Sequence, residues 1–162
     1  MLGAWANFFF AEVGASASLA GLLFVAISVS QARILEIPRM ADRALEALVL
    51  LLLVLIVASL GLVPGQPLWL FGTEIVGLGL IALVIELLLQ RVYLAATEER
   101  YRRNSRRMTW VSRIAAGLMV GAGIELLLRT DATGLYLLPA GIIVSFIAAM
   151  INAWVLLIEI NR

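Results

Sequence analysis

The chain contains no cysteine and no histidine, and all 12 of its basic residues are arginine. Without cysteine there is no disulfide framework and no thiolate metal site. Without histidine the commonest general base and metal ligand are both missing. An intramembrane serine protease would therefore lack its base. No Gly-rich nucleotide loop and no HExxH motif occurs. Charged residues are scarce, 14% of 162, with a net charge of +1, so bulk electrostatics names no partner. The expectation from these gaps is a protein with no catalytic residues, no metal, no cofactor and no enzymatic activity, the one enzyme class left open being a membrane enzyme that works with carboxylates alone.

Apolar side chains are abundant, at 63% of residues. Soluble domains carry roughly 45–50%, and a short soluble chain has too small an interior for such an excess. Lipid is the natural solvent. Crossing a bilayer core of about 30 Å takes around 20 apolar residues in a helix, and five runs meet that length: 6–30, 45–63, 68–94, 110–128 and 135–160. The segments between them are short, PGQP (64–67) and RTDATG (129–134) reading as turns. The predicted fold is an all-α integral membrane protein of five transmembrane helices, with residues 1–162 forming one transmembrane domain.

Arginine sets the expected direction of threading. QARILEIPRMADR (31–43) and EERYRRNSRRM (98–108) carry most of the positive charge, and the alternate connections carry almost none. Arginine-rich loops stay in the cytoplasm, which puts the N-terminus outside and the C-terminus inside. Trp5, Trp69 and Tyr136 then sit at the outer interface, and Tyr93, Trp110 and Trp154 at the inner one, as amphipathic rings prefer. Asp42 and Asp131 fall on opposite sides, so they form no aspartyl dyad. ASA (15–17) mimics a signal-peptide cleavage site, but no basic segment precedes it and the apolar run continues to Val29. GASASLAGLLFVAISV (14–29) has the character of a span from a small bacterial membrane protein, and a bacterial cytoplasmic membrane is the expected location.

Small residues mark candidate packing faces. In the first span Asn7, Gly14, Gly21 and Ser28 recur every seven residues, with Ser18 beside them. Gly117 and Gly121 form a GxxxG pair in the fourth, and Gly72, Gly79 and Glu86 repeat the seven-residue step in the third. Helices in lipid associate through such close-approach seams, so these residues are candidates for helix packing or a homo-oligomer face. The second span has no small-residue stripe, and it is expected to face lipid.

Carboxylates within apolar spans carry the candidate chemistry, because an ionised side chain at mid-bilayer costs roughly 2.5–3.5 kcal/mol on insertion scales. Counting inward from Trp69 and Arg91, about 20 residues fill the core at about 1.5 Å each. Glu86 then lies near the inner edge and Glu74 near the outer. Glu12 and Glu125 join the outer tier, Glu46 and Glu159 the inner one. Asn152 matches Glu86 in depth, and Arg91 and Arg113 are the expected counter-charges. Acidic residues at a pore mouth concentrate cations. The functional expectation is a homo-oligomeric cation- or proton-permeable channel using Glu86, Glu74, Glu12, Glu125 and Asn152. A non-conducting accessory subunit, docked on another membrane protein through the first helix, is the alternative, and a small-solute transporter comes third. Arg100, Arg102, Arg103, Arg106 and Arg107 are expected to meet anionic lipid headgroups rather than nucleic acid.

Overall fold

The computed structural model describes the backbone of residues 2–37, 40–95, 99–129 and 133–160; the side chains of 92–95, 99–109 and 157–160 lie outside that description. Tyr93, Glu159 and the five arginines from Arg100 to Arg107 are among them. Every regular element among the described residues is helical. A short 3-10 turn leads into α1 (Ala6–Val29), followed by α2 (Gln31–Glu36), α3 (Met40–Gly61), α4 (Leu68–Ala95), α5 (Glu99–Leu128) and α6 (Gly134–Ile160). Five of these helices, all but α2, are long and apolar enough to cross a membrane.

Local chemistry explains the boundaries. Ile37 leaves the helix for extended backbone (φ −91°, ψ 116°), as a residue preceding a proline is driven to do. Past Gly61, the turn to α4 runs through Gly65 at φ +71°, a conformation that costs glycine little. The two Arg-rich segments, expected as loops, are largely helical. α2 lies within the first, with Ile34 buried, and α5 begins at Glu99, well before the predicted start of its span. Arg, Glu and Met are good helix formers, and neither Pro nor Gly interrupts 99–110.

Helices α3 to α6 form a four-cornered bundle. α4 packs on α5, α5 on α6, and α3 closes the figure against both α4 and α6, while α1 lies along the outside of α3. The second span is therefore the central helix, contrary to the expectation that it faces lipid. It buries 56% of its core window inside the protein, against 11% for the first span. The physical reason is that lipid tails are as apolar as Leu. A helix that is apolar all round suits protein contacts on several sides as well as lipid, so lack of a small-residue stripe does not mark a lipid-facing helix.

α1 buries one narrow line, Phe9, Ser16 and Leu23, also spaced by seven. At about 100° per residue, the Asn7–Gly14–Gly21–Ser28 line is displaced from it by about 200°. It consequently points away from α3: Asn7, Gly14, Ser18, Gly21 and Ser28 are all exposed. Ser28 closes its hydroxyl onto the Phe24 carbonyl at 2.8 Å, satisfying itself within the helix. Gly117 and Gly121 likewise face outward, with no atom within 4 Å of where a Cβ would stand.

The glycines used inside the chain are others. A Cβ on Gly123 would lie 2.8 Å from the Gly72 carbonyl oxygen, and one on Gly79 would lie 2.7 Å from Val120 Cγ2. Gly72 and Gly79, singled out by their spacing, do form the α4 side of a seam. The α5 side is Ala116, Val120 and Gly123 rather than the GxxxG pair. Gly134 and Gly141 bring α6 equally close to Ala122 and Met119 of α5.

Candidate functional site

The bundle interior is apolar in one half and polar at one level of the other. Phe9, Val54, Val57, Phe71, Ile75, Met119, Leu135, Leu138 and Ile142 form a continuous cluster toward the end that holds the α3–α4 turn. Toward the opposite end, where α3 and α5 begin, lie Glu46, Glu86, Gln90, Ser112 and Asn152, all buried, with Glu86 and Ser112 at 0% exposure.

Four helices contribute to this layer. Arg113 of α5, half-buried, donates its Nε–H to Gln90 Oε1 of α4 at 2.7 Å. Gln90 in turn donates its Nε2–H to Glu46 Oε1 of α3 at 3.2 Å. The Arg113 guanidinium also sits 5.5 Å from the ring centre of Trp110, a cation–π distance. Asn152 is buried on α6, one turn from Ala148, Ala149 and Leu156, which pack near Ala44 and Ala47 of α3. Both carboxylate oxygens of Glu86 and the hydroxyl of Ser112 are buried with no hydrogen-bond partner among the described residues. A buried polar group in that condition costs about 1–3 kcal/mol, more when charged. Among the described residues, the charged groups acting on Glu86 are Glu46 and Arg113.

The other predicted residues fall outside it. Glu74, half-buried, accepts a hydrogen bond from the Gln66 amide in the α3–α4 turn, so it ties that turn to α4. Glu125 accepts from Arg129 Nε at 2.8 Å in an i,i+4 pair near the surface. Glu12 is half-buried, with one carboxylate oxygen unpartnered among the described residues. Near it, Trp5 meets Tyr136 edge-on at 5.1 Å, and Phe9 meets Phe71 at 5.7 Å, fastening the start of α1 to the bundle. Arg91, expected beside Glu86, is exposed; Arg113 is the cation that enters the layer.

Gln90, Ser112 and the inward turn of Glu46 escape a reading that looks only for intramembrane charge. The spacing offered a signal for one of them, since Gln90 stands four residues after Glu86 and hence on the same face of α4. Ser112 carried no such mark, because serines often bond their own helix backbone. No protein-family profile, no curated protein and no solved structure matches the chain.

Proposed function

We propose that the chain is a cation- or proton-permeable integral membrane protein in which the ion passes inside the four-helix bundle by way of Glu86. The observation that carries this reading is the Glu86 carboxylate, 0% exposed and without a hydrogen-bond partner among the described residues. Intramembrane carboxylates facing a bundle interior mark ion and proton paths. Because Glu86 points into its own bundle, the path belongs to each protomer and not to a ring between subunits. The ion reaches Glu86 from the Arg-rich end, and the apolar cluster around Phe71, Met119 and Ile142 is the barrier that must open on the far side. The positive-inside rule assigns the Arg-rich end to the cytoplasm of a bacterial cell, with the N-terminus outside. Arg100, Arg102, Arg103, Arg106 and Arg107 would there meet anionic headgroups. Proteoliposomes loaded with a pH- or cation-sensitive dye test the proposal: wild-type protein is expected to pass protons or monovalent cations and Glu86→Gln to lose that flux. Wild-type vesicles as tight as protein-free ones would refute it.

A second reading has its own observation. The outward line of Asn7, Gly14, Ser18, Gly21 and Ser28 is exposed over the length of α1, and small residues permit close helix approach in lipid. Through it the chain would self-associate or sit as an accessory subunit on another membrane protein. Gly14→Leu and Gly21→Leu are expected to lower the mass of the complex in nanodiscs while leaving the monomer folded.

A further inference from the structure

We infer that Glu86 is a proton-binding carboxylic acid and that Gln90 assigns the negative charge of the layer to Glu46, so that the ion each bundle takes up is a proton and not a metal cation. The inference rests on the reading of the bundle interior as an ion path and deepens it by naming the ion.

The Gln90 amide has one workable orientation. An arginine side chain only donates hydrogen bonds, so the end of the amide that meets Arg113 Nε at 2.7 Å must be its oxygen. The amino end then faces Glu46 and donates to Oε1 at 3.2 Å. Glu46 is thus an acceptor, served by an amide that the guanidinium polarises. Hydrogen bonds to an ionised carboxylate favour that form. Gln90 stands four residues after Glu86 on the same face of α4, yet its oxygen is engaged to α5 and its nitrogen to α3.

No such donor meets Glu86. Its side chain is fully buried, and neither of its oxygens has a hydrogen-bond partner among the described residues. An ionised carboxylate in that position is costly enough that the group binds a proton instead. The neighbouring charges act in the same sense. Among the described residues, Glu46 of α3 and Arg113 of α5 act on Glu86; Arg91 of α4 is exposed, and the described part of α6 has no charged side chain. Two neighbouring carboxyl groups repel each other's ionisation, and the relay through Gln90 decides which of them keeps the charge.

With Arg113 and Glu46 charged and Glu86 neutral, these three groups balance. A metal cation added to them would place an excess positive charge in low dielectric. Proton transfer has no such consequence at rest: the O–H bond of Glu86 breaks as its proton moves on and is remade when the next proton arrives, while Glu46 stays ionised. Gln90 is the positioning residue, since it acts on Glu86 by engaging Arg113 and Glu46 with each other.

Nuclear magnetic resonance of the full-length protein in nanodiscs, with isotope-labelled glutamate carboxyl carbons, tests the assignment. The carbon shifts separate protonated from ionised carboxyl groups, and through-bond assignment attaches each signal to its residue. At neutral pH Glu86 is expected to be protonated and Glu46 ionised. Gln90→Leu removes the relay and should reduce the preference of the proton for Glu86 over Glu46 about tenfold, the worth of one hydrogen bond to a charged group. An ionised Glu86 or a protonated Glu46 in the wild type would overturn the inference, whether or not that variant folds, and so would a preference unchanged in a folded Gln90→Leu. Vesicle flux separates the inference from the reading beneath it. Proton flux without uptake of radiolabelled sodium or potassium is expected. Sodium or potassium uptake that ceases in Glu86→Gln would overturn the proton and keep the permeation reading; a protonated Glu86 in vesicles that pass no ion would keep the proton site and remove permeation.

Discussion

Arg113 donates its Nε–H to the side-chain oxygen of Gln90 at 2.7 Å. The neutral amide stands between the guanidinium and the Glu46 carboxylate: its other end donates to Glu46, while Glu86 has no hydrogen-bond partner among the described residues. The cation thereby orders one carboxylate through a relay and leaves the second without a direct bond. A layer built this way keeps a carboxyl group without a hydrogen-bond partner inside an apolar bundle and away from lipid.

Removing the guanidinium should be costly for that reason. Arg113→Gln takes the guanidinium away from two buried carboxyl groups, and the half-burial of Arg113 tempers the loss to about 1–3 kcal/mol, below the fully buried limit. Thermal unfolding in detergent should fall by several degrees, and adding Glu46→Gln should restore much of it. A double variant no more stable than Arg113→Gln alone would show that charge balance is not the cause.

Glycine substitutions should divide by position and not by motif. Gly123→Ala would place a methyl 2.8 Å from the Gly72 carbonyl oxygen, whereas Gly121→Ala meets nothing within 4 Å. The first is expected to destabilise by roughly 1–3 kcal/mol, as overpacking does. The second should leave monomer unfolding unchanged. Equal losses at both positions would count against the α4–α5 seam described above.

α1 should loosen without unfolding the rest. Its attachment rests on Phe9, 0% exposed, which lies against Gly61; a Cβ there would stand 2.7 Å from the ring. Phe9→Ala is expected to cost about 1–3 kcal/mol, less than in a soluble core because lipid solvates the freed surface nearly as well. Hydrogen exchange should rise along α1 and stay slow in α3, α5 and α6. Uniform acceleration would mean that α1 is integral to the bundle.

Flux through vesicles should distinguish the glutamates. Glu125→Gln breaks only an i,i+4 pair with Arg129, worth a few tenths of a kcal/mol, and transport should stay within about twofold of wild type. Glu74→Gln should act mainly on the α3–α4 turn that Gln66 ties down, shifting stability more than rate. If either silences flux as Glu86→Gln is expected to, the path does not centre on Glu86.

Much of this protein was legible in one dimension. Span length and apolarity decide what crosses a bilayer, because every backbone polar group in lipid must bond within its own helix; the five long helices follow from that alone. The Gly72–Gly79–Glu86 line was visible as a repeat, and it is the line that packs. Which faces turn inward was not legible. In water, hydrophobicity distinguishes the inside of a helix from the outside, but in lipid both are apolar and the distinction disappears. Only the tertiary structure made α3 central, turned Gly14 and Gly121 outward, chose Gly123 for the seam, and linked Arg113, Gln90 and Glu46 in a hydrogen-bonded relay within the layer that holds Glu86. Close packing and the bonding of buried polar groups made those choices, and both depend on partners from other helices.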